Sequence, residues 1–108
     1  MSKQYVHYLY TADNGNVNVK KLQTYDTDET HILTKGKGYG YDKPMTDAEK
    51  WVSEGWSMGC HQQGIFIPAD ADINQYIPTI NAEIAIRLNR EIVKLQETLI
   101  AVESWVTP

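Results

Sequence analysis

The chain has 108 residues, a hydrophobic content of 42% and a formal net charge of −4, which fits a single domain, residues 1–108, and excludes a disordered tail. The acidic balance argues against general nucleic-acid binding, because such proteins carry a basic surface.

No apolar run is long enough for a transmembrane helix. The first residues lack the basic and then apolar segments of a signal peptide. With one cysteine, Cys60, no internal disulfide forms. We therefore expect a cytoplasmic protein with no membrane partner.

Residues 1–35 are predicted to form a β-hairpin that continues as a meander. Asn14-Gly15 is a favoured pair for a two-residue type I′ turn, whose central residues need positive φ. The resulting register places Val6 opposite Gln23 and predicts a third strand from about Thr30 to Lys35. It also gathers the more apolar side chains on one face, which we expect to meet the core: Val6, Tyr8, Tyr10, Ala12, Val17 and Val19.

Residues 36–68 are predicted to contain a loop rich in glycine and aromatic residues, a short helix and a fourth strand. The glycines at the start of this segment are costly in a helix or a strand and therefore indicate a loop. Thr46-Asp47-Ala48-Glu49 has the spacing of a capping box and predicts a short helix that ends at Gly55. The β-branched and aromatic run Gly64-Ile65-Phe66-Ile67, ended by Pro68, predicts a strand beside the meander.

Residues 69–108 are predicted to form a long helix, since Thr79 to Val106 contains neither proline nor glycine. A helix of about 26 residues is about 39 Å long, whereas a globule of this size has a radius of gyration of about 13 Å. The helix carries two apolar rows. The first is a heptad-like track of Ala85, Leu88, Ile92, Leu95, Leu99, Val102 and Val106, and the second is Ile86, Val93 and Ile100.

One row can pack on the sheet of its own chain, which leaves the other row for a partner; the alternative is that the helix kinks and wraps around one thick core. A second copy of the chain supplies a matching row, so the sequence predicts a homo-oligomer joined through residues 84–106. Together the elements predict an α+β fold, with a small antiparallel β-meander of three to four strands, one short helix and one long C-terminal helix.

The predicted ligand-binding residues centre on the segment Lys35 to Tyr41. Backbone amides of a glycine-rich loop can hold phosphates, lysines add positive charge, and tyrosine rings can stack on a base. Nearby aromatic and imidazole side chains, and guanidinium groups of the helix, can complete such a site. The residues are Lys35, Lys37, Tyr39, Tyr41, Trp56, His61, Arg87 and Arg90. The alternative is that this loop is only a flexible connector.

The sequence assigns no catalytic residue, no metal site and no cofactor. The adjacent Cys60 and His61 do not form a nucleophile–base pair without a third group to orient the base. Two pairs of carboxylates, Asp26 with Asp28 and Asp70 with Asp72, have a spacing that can hold a divalent ion. The same spacing is typical of loops and helix N-caps, which is the interpretation that we adopt.

Over its whole length the chain resembles small accessory proteins of bacteriophages and other mobile elements. These proteins are short, mildly acidic and poor in cysteine, and they often combine a small sheet with a C-terminal helix that dimerises. Some counter host defence by sequestering a nucleotide signal or by masking a host protein, and the sponges for cyclic ADP-ribose-type signals are one example. The resemblance implies a viral anti-defence protein of the host cytoplasm that binds rather than catalyses.

The sequence thus predicts a non-catalytic, homo-oligomeric binding protein for a small nucleotide-like anion or for a host protein that it masks. Two alternatives stay open. One is a small hydrolase that uses His61 with an Asp or Glu, and the other is a structural subunit of a larger assembly.

Overall fold

The computed structural model describes residues 3–106, so residues 1–2 and 107–108 of the predicted end segments lie outside the described residues. The fold is α+β, with a four-stranded antiparallel sheet, a two-stranded sheet and one long helix, which confirms the predicted class. The elements are β1 (Tyr5–Asp13), β2 (Asn16–Tyr25), β3 (His31–Ile32), β4 (Lys43–Pro44), β5 (Val52–Ser57), β6 (Cys60–Pro68) and α1 (Ile77–Ser104).

The chain divides into two compact units, residues 1–75 with both sheets and residues 76–108 with α1. The organisation as one domain stays a prediction. Of the helices in the described part of the chain, none is both long and apolar enough to cross a membrane.

The predicted hairpin turn at Asn14-Gly15 is confirmed. Asn14 has φ 49° and Gly15 has φ 82°, and β1 and β2 pair with Ala12 opposite Val17. Between Tyr8 and His7 a β-bulge shifts the register, so Leu22 has no partner position on β1. From His7 toward the N-terminus the predicted register is therefore wrong, and Val6 lies opposite Thr24 rather than Gln23.

The predicted meander is wrong at its third strand. The sheet order is β2-β1-β6-β5, so the free edge of β1 pairs with β6, while β3 pairs with β4 in a separate sheet. Asp28 explains the departure, because its carboxylate accepts hydrogen bonds from the amides of Thr30 at 2.8 Å and His31 at 2.7 Å and turns the chain. These hydrogen bonds hold the pKa of Asp28 below its usual value. The predicted fourth strand exists as β6 and starts earlier, at Cys60.

The predicted short helix from Thr46 to Gly55 is also wrong. Only Met45–Asp47 makes a 3-10 turn, and Glu49 follows with φ 62° while its amide donates to the carbonyl of Phe66 at 2.7 Å. The chain then enters the edge strand β5, which contains Gly55 and pairs with β6. Pairing with a distant strand has overridden the local capping pattern.

The four-stranded sheet has two faces with different coverings. On the face that we call the His7 face, Tyr5, Tyr25 and Phe66 pack in one core cluster with Ile32 and Ala48 from the segment that crosses this face. The face that we call the Ile65 face carries a second set of buried side chains: Val6, Tyr10, Ala12, His61, Gln63, Ile65 and Ile67. Of the apolar hairpin face predicted to meet the core, Val6, Tyr10 and Ala12 are buried, but Val17 is exposed.

The long helix is confirmed as α1, in which Ile80 and Ile84 are the buried residues. Every described residue from Ile92 to Val106 is exposed. Both predicted apolar rows are therefore exposed along this stretch of the single chain, and the packing of one row on the sheet stays a prediction.

Gly15→Val is expected to lower the free energy of unfolding by about 1–2 kcal/mol, because a side chain resists the left-handed conformation of the turn. Gly40→Val is the matched control, since Gly40 has open space around its Cβ position and no positive φ. Urea unfolding of both variants measures the difference. Equal midpoints would contradict the role of the turn.

Candidate functional site

The glycine-rich segment is a loop, as predicted, and it is internally hydrogen bonded. Gly36 and Gly38 have φ 79° and 106°. The amide of Lys35 donates to the Asp42 carboxylate at 2.9 Å, that of Gly36 to the Tyr39 carbonyl at 3.0 Å, and that of Lys37 to the Thr34 carbonyl at 3.1 Å. Because these three amides are used within the loop, what the loop offers to the cleft is the side chains of Lys37 and Tyr39.

Two side chains of β2 fasten the loop to the sheet. Gln23 Nε2 donates to the Lys37 carbonyl at 3.0 Å, and the Tyr25 hydroxyl donates to the same oxygen at 3.2 Å. Gln23 also donates to the Tyr25 hydroxyl. Alternate residues of a strand share a face, so the spacing of Gln23 and Tyr25 directs both side chains to this carbonyl.

A cleft of about 370 Å³ opens between the anchored loop and the His7 face of the sheet. This volume falls within the range of small-molecule sites, which is about 300–1,000 Å³. The lining residues come from four segments that are distant in sequence: His7, Leu22, Gln23, Tyr25, Lys37, Gly38, Tyr39 and Glu54.

His7 lies at the base of the cleft and is neutral at neutral pH. Its ring stacks on Phe66 with centroids 4.4 Å apart, and only 6% of the residue is exposed. Burial lowers the pKa of His7 below 6.5, the Glu54 carboxylate opposes this shift, and the positive charge of Lys43 adds to it. His7 Nε2 and Glu54 Oε1 are 3.8 Å apart, which is too long for a hydrogen bond.

Tyr39 supplies an aromatic wall. Its ring lies 6.2 Å from that of His7 and 6.0 Å from that of Phe66, between centroids. Burial, reinforced by the negative charge of Glu54, raises the pKa of Tyr39 to about 12, so its hydroxyl stays protonated and can donate a hydrogen bond. The cleft thus combines an aromatic ring, the ammonium group of Lys37 and the carboxylate of Glu54.

The structure divides the residues that sequence proximity had grouped. Lys37 and Tyr39 line the cleft, while Lys35 does not, and Tyr41 is 59% exposed and meets Tyr39 edge-on with centroids 6.5 Å apart. Trp56 and His61 stack with centroids 5.8 Å apart, but they lie on the Ile65 face. His61 and Phe66 are five positions apart on β6, and side chains alternate between faces at each position, so the two residues lie on opposite faces.

The predicted arginines belong to α1. Arg90 contributes to a groove of about 550 Å³ along the helix, together with Ile86, Asn89, Val93, Lys94 and Glu97. Arg87 is half-buried on the same helix.

Outside the glycine-rich loop, five cleft residues were not predicted from the sequence: His7, Leu22, Gln23, Tyr25 and Glu54. Gln23 and Tyr25 follow the β-bulge that shifted the register, and Glu54 fell inside the wrongly predicted helix. The alternation of Tyr5 and His7 on β1 is the one local signal for this face. The pairing of His7 with Phe66 has no local signal.

The stability of the protein is expected to fall as the pH drops from 7.5 to 5.5. The folded chain disfavours protonation of His7, whereas the unfolded chain protonates it near pH 6.5. The loss therefore begins near this pH and is complete below the folded pKa. His7→Phe keeps a ring on Phe66 and removes the titration, so urea unfolding should show a smaller loss over this range. An equal loss in both proteins would contradict the assignment.

Within residues 3–106, no three His, Cys, Asp or Glu side chains come together as a metal site. Comparisons with protein families, curated proteins and solved structures find no match for this chain.

Proposed function

We propose that the protein is a non-catalytic, homo-oligomeric binding protein that holds a small nucleotide-like anion in the cleft. The observation that carries this proposal is the anchored loop, which brings the Lys37 ammonium group and the Tyr39 ring to one cleft of about 370 Å³. A tyrosine face suits a base, since stacking is worth about 1–3 kcal/mol per base, and an ammonium group suits a phosphate.

The cleft is better suited to binding than to hydrolysis. The described residues that line it include no serine, threonine or cysteine, and the distance between His7 and Glu54 exceeds a hydrogen bond. An activated nucleophile needs such a group in contact with an oriented base. The hydrolase alternative relied on His61, which lies on the Ile65 face, away from the cleft.

A binding protein that leaves its ligand unchanged fits the sequestering role of the mobile-element accessory proteins that the chain resembles. This role is part of the proposal. Ligand released from the purified protein by heat, and identified by mass spectrometry, should be chemically intact. Recovery of a hydrolysed product instead would favour an enzyme.

The C-terminal part of α1 supports self-association. From Ile92 onward the exposed large apolar residues are Ile92, Val93, Leu95, Leu99, Ile100, Val102, Trp105 and Val106. Burying a fully exposed side chain of this kind yields about 1.5–3 kcal/mol at about 25 cal/mol per Å². These side chains are 48–82% exposed, so the set offers about 300–600 Å², which is a large part of the roughly 800 Å² that a stable interface buries on each partner. A second copy is the proposed occupant, because it presents the same heptad spacing.

Ligand binding is tested by calorimetric titration of the protein with nucleoside monophosphates, cyclic dinucleotides and ADP-ribose variants. Lys37→Ala and Tyr39→Leu should each weaken binding by about 5- to 100-fold. Lys35→Ala removes the same charge from the same loop outside the cleft and should leave the affinity unchanged. A flat response across the panel would overturn the proposal and favour the masking of a host protein.

A further inference from the structure

The strongest pointer to the chemistry of the ligand is a buried polar atom at the base of the cleft. His7 is 6% exposed, and within the described part of the chain no group hydrogen bonds to its Nε2. Buried polar atoms in proteins nearly always have a hydrogen-bond partner. His7 lines the cleft and its Nε2 is buried, so a ligand can supply that partner when the neighbouring Glu54 side chain, which is 36% exposed, moves aside.

Glu54 places a second acceptor beside this atom. Its Oε1 lies 3.8 Å from His7 Nε2, and a carboxylate accepts hydrogen bonds without donating any. The two groups do not satisfy each other at this distance. Both lie directly over Gly64, because a Cβ at that position would be 2.3 Å from Glu54 Oε1 and 2.9 Å from His7 Nε2.

This pair of atoms selects for donors on a ligand. A neutral imidazole with its proton on Nδ1 accepts a hydrogen bond at Nε2. An amino group carries two hydrogens, which can reach Nε2 and Oε1, and the second oxygen of Glu54 can accept from an adjacent ring N–H. The Watson–Crick edge of guanine presents an amino group next to a ring N–H. Adenine presents an amino group next to a ring nitrogen that only accepts hydrogen bonds. That nitrogen and a carboxylate oxygen are both acceptors, so they repel each other.

We propose that the cleft recognises the amino and ring N–H donors of guanine in a free guanine nucleotide, through Glu54 and His7. This inference rests on the proposed function. In the proposed complex the Tyr39 ring stacks on the base and Lys37 binds the phosphate. Proteins hold single bases by the same combination of stacking and contacts to the edge of the base. The acidic charge of the chain, −4, favours a free nucleotide over RNA.

The test compares guanosine, inosine and adenosine monophosphates by calorimetry on the full-length protein. Inosine lacks the amino group and keeps the ring N–H, so it should bind about 10- to 100-fold more weakly than guanosine, as expected for hydrogen bonds to a charged group. Glu54→Gln should remove most of the preference for guanosine. Glu29→Gln makes the same charge change at an exposed loop position outside the cleft. This control should keep the preference for guanosine.

The failure of this inference can be separated from the failure of the proposed function. If all three nucleotides bind alike, or if adenosine binds best, the inference is overturned and nucleotide binding stands. If none of the three binds at millimolar concentration, the inference is overturned, and the proposed function falls with it only if the cyclic dinucleotides and ADP-ribose variants give a flat response as well. A preference for guanosine that survives in Glu54→Gln would also overturn the assigned contact. The comparison of the three ligands needs no variant, so it decides the question even if Glu54→Gln does not fold.

Discussion

Replacing Ile86 and Val93 with glutamate is expected to convert the proposed homo-oligomer into a soluble monomer. Both side chains line the helix groove and are more than half exposed in the single chain, so the substitutions cost little within one copy. Between copies they replace apolar contacts worth about 1.5–3 kcal/mol each with carboxylates that repel one another. Sedimentation at tens of micromolar should show the loss of the larger species.

The control places the same two charges elsewhere on α1. Thr79 and Ala82 are exposed near the start of the helix, where acidic side chains are favourable, so Thr79→Glu with Ala82→Glu should keep the oligomer. A monomeric wild-type protein at these concentrations would contradict the proposed self-association. An oligomer that survives Ile86→Glu with Val93→Glu would place the interface elsewhere.

The parts of the fold that could be predicted are those whose signals are local. Asn14-Gly15 determines a turn whatever the rest of the chain does, and the uninterrupted stretch from Thr79 to Val106 is long enough to determine a helix. By contrast, the segment Val52–Ser57 forms a strand because β6 offers it an edge. No local sequence pattern predicts that a strand edge is available there. The local pattern that is present, a capping-box spacing at Thr46, instead predicts a helix.

The candidate site shows the same division. The loop and two of its side chains, Lys37 and Tyr39, were predicted because glycines, lysines and tyrosines lie together in the sequence. His7 and Glu54 join them only through the pairing of β6 with both β1 and β5. Trp56 and His61, although close to Glu54 in sequence, lie on the Ile65 face. The register shift between Ser53 and Gly55 inserts Glu54 as an extra residue in β5 and so separates it from Trp56, two positions further on.

Gly64→Ala is expected to disrupt ligand recognition while leaving the fold nearly as stable. The added Cβ would lie 2.3 Å from Glu54 Oε1 and 2.9 Å from His7 Nε2, so both atoms must shift, and the Glu54 carboxylate must move further. The His7 ring is held against Phe66, whereas the Glu54 side chain is 36% exposed and can swing away. We expect a change of about 1 kcal/mol or less in the free energy of unfolding, because alanine gains some backbone stability over glycine in a strand.

The loss of nucleotide affinity should be about tenfold or more, as the acceptor pair separates. Gly55→Ala is the matched control on the neighbouring strand, since Gly55 has no atom within 4 Å of its Cβ position and no positive φ. Calorimetry and urea unfolding of the two variants separate recognition from stability. If Gly64→Ala binds the nucleotide as tightly as Gly55→Ala does, the spacing of His7 and Glu54 has no part in recognition. A large loss of stability in Gly64→Ala alone would instead show that the backbone, and not Glu54, gives way.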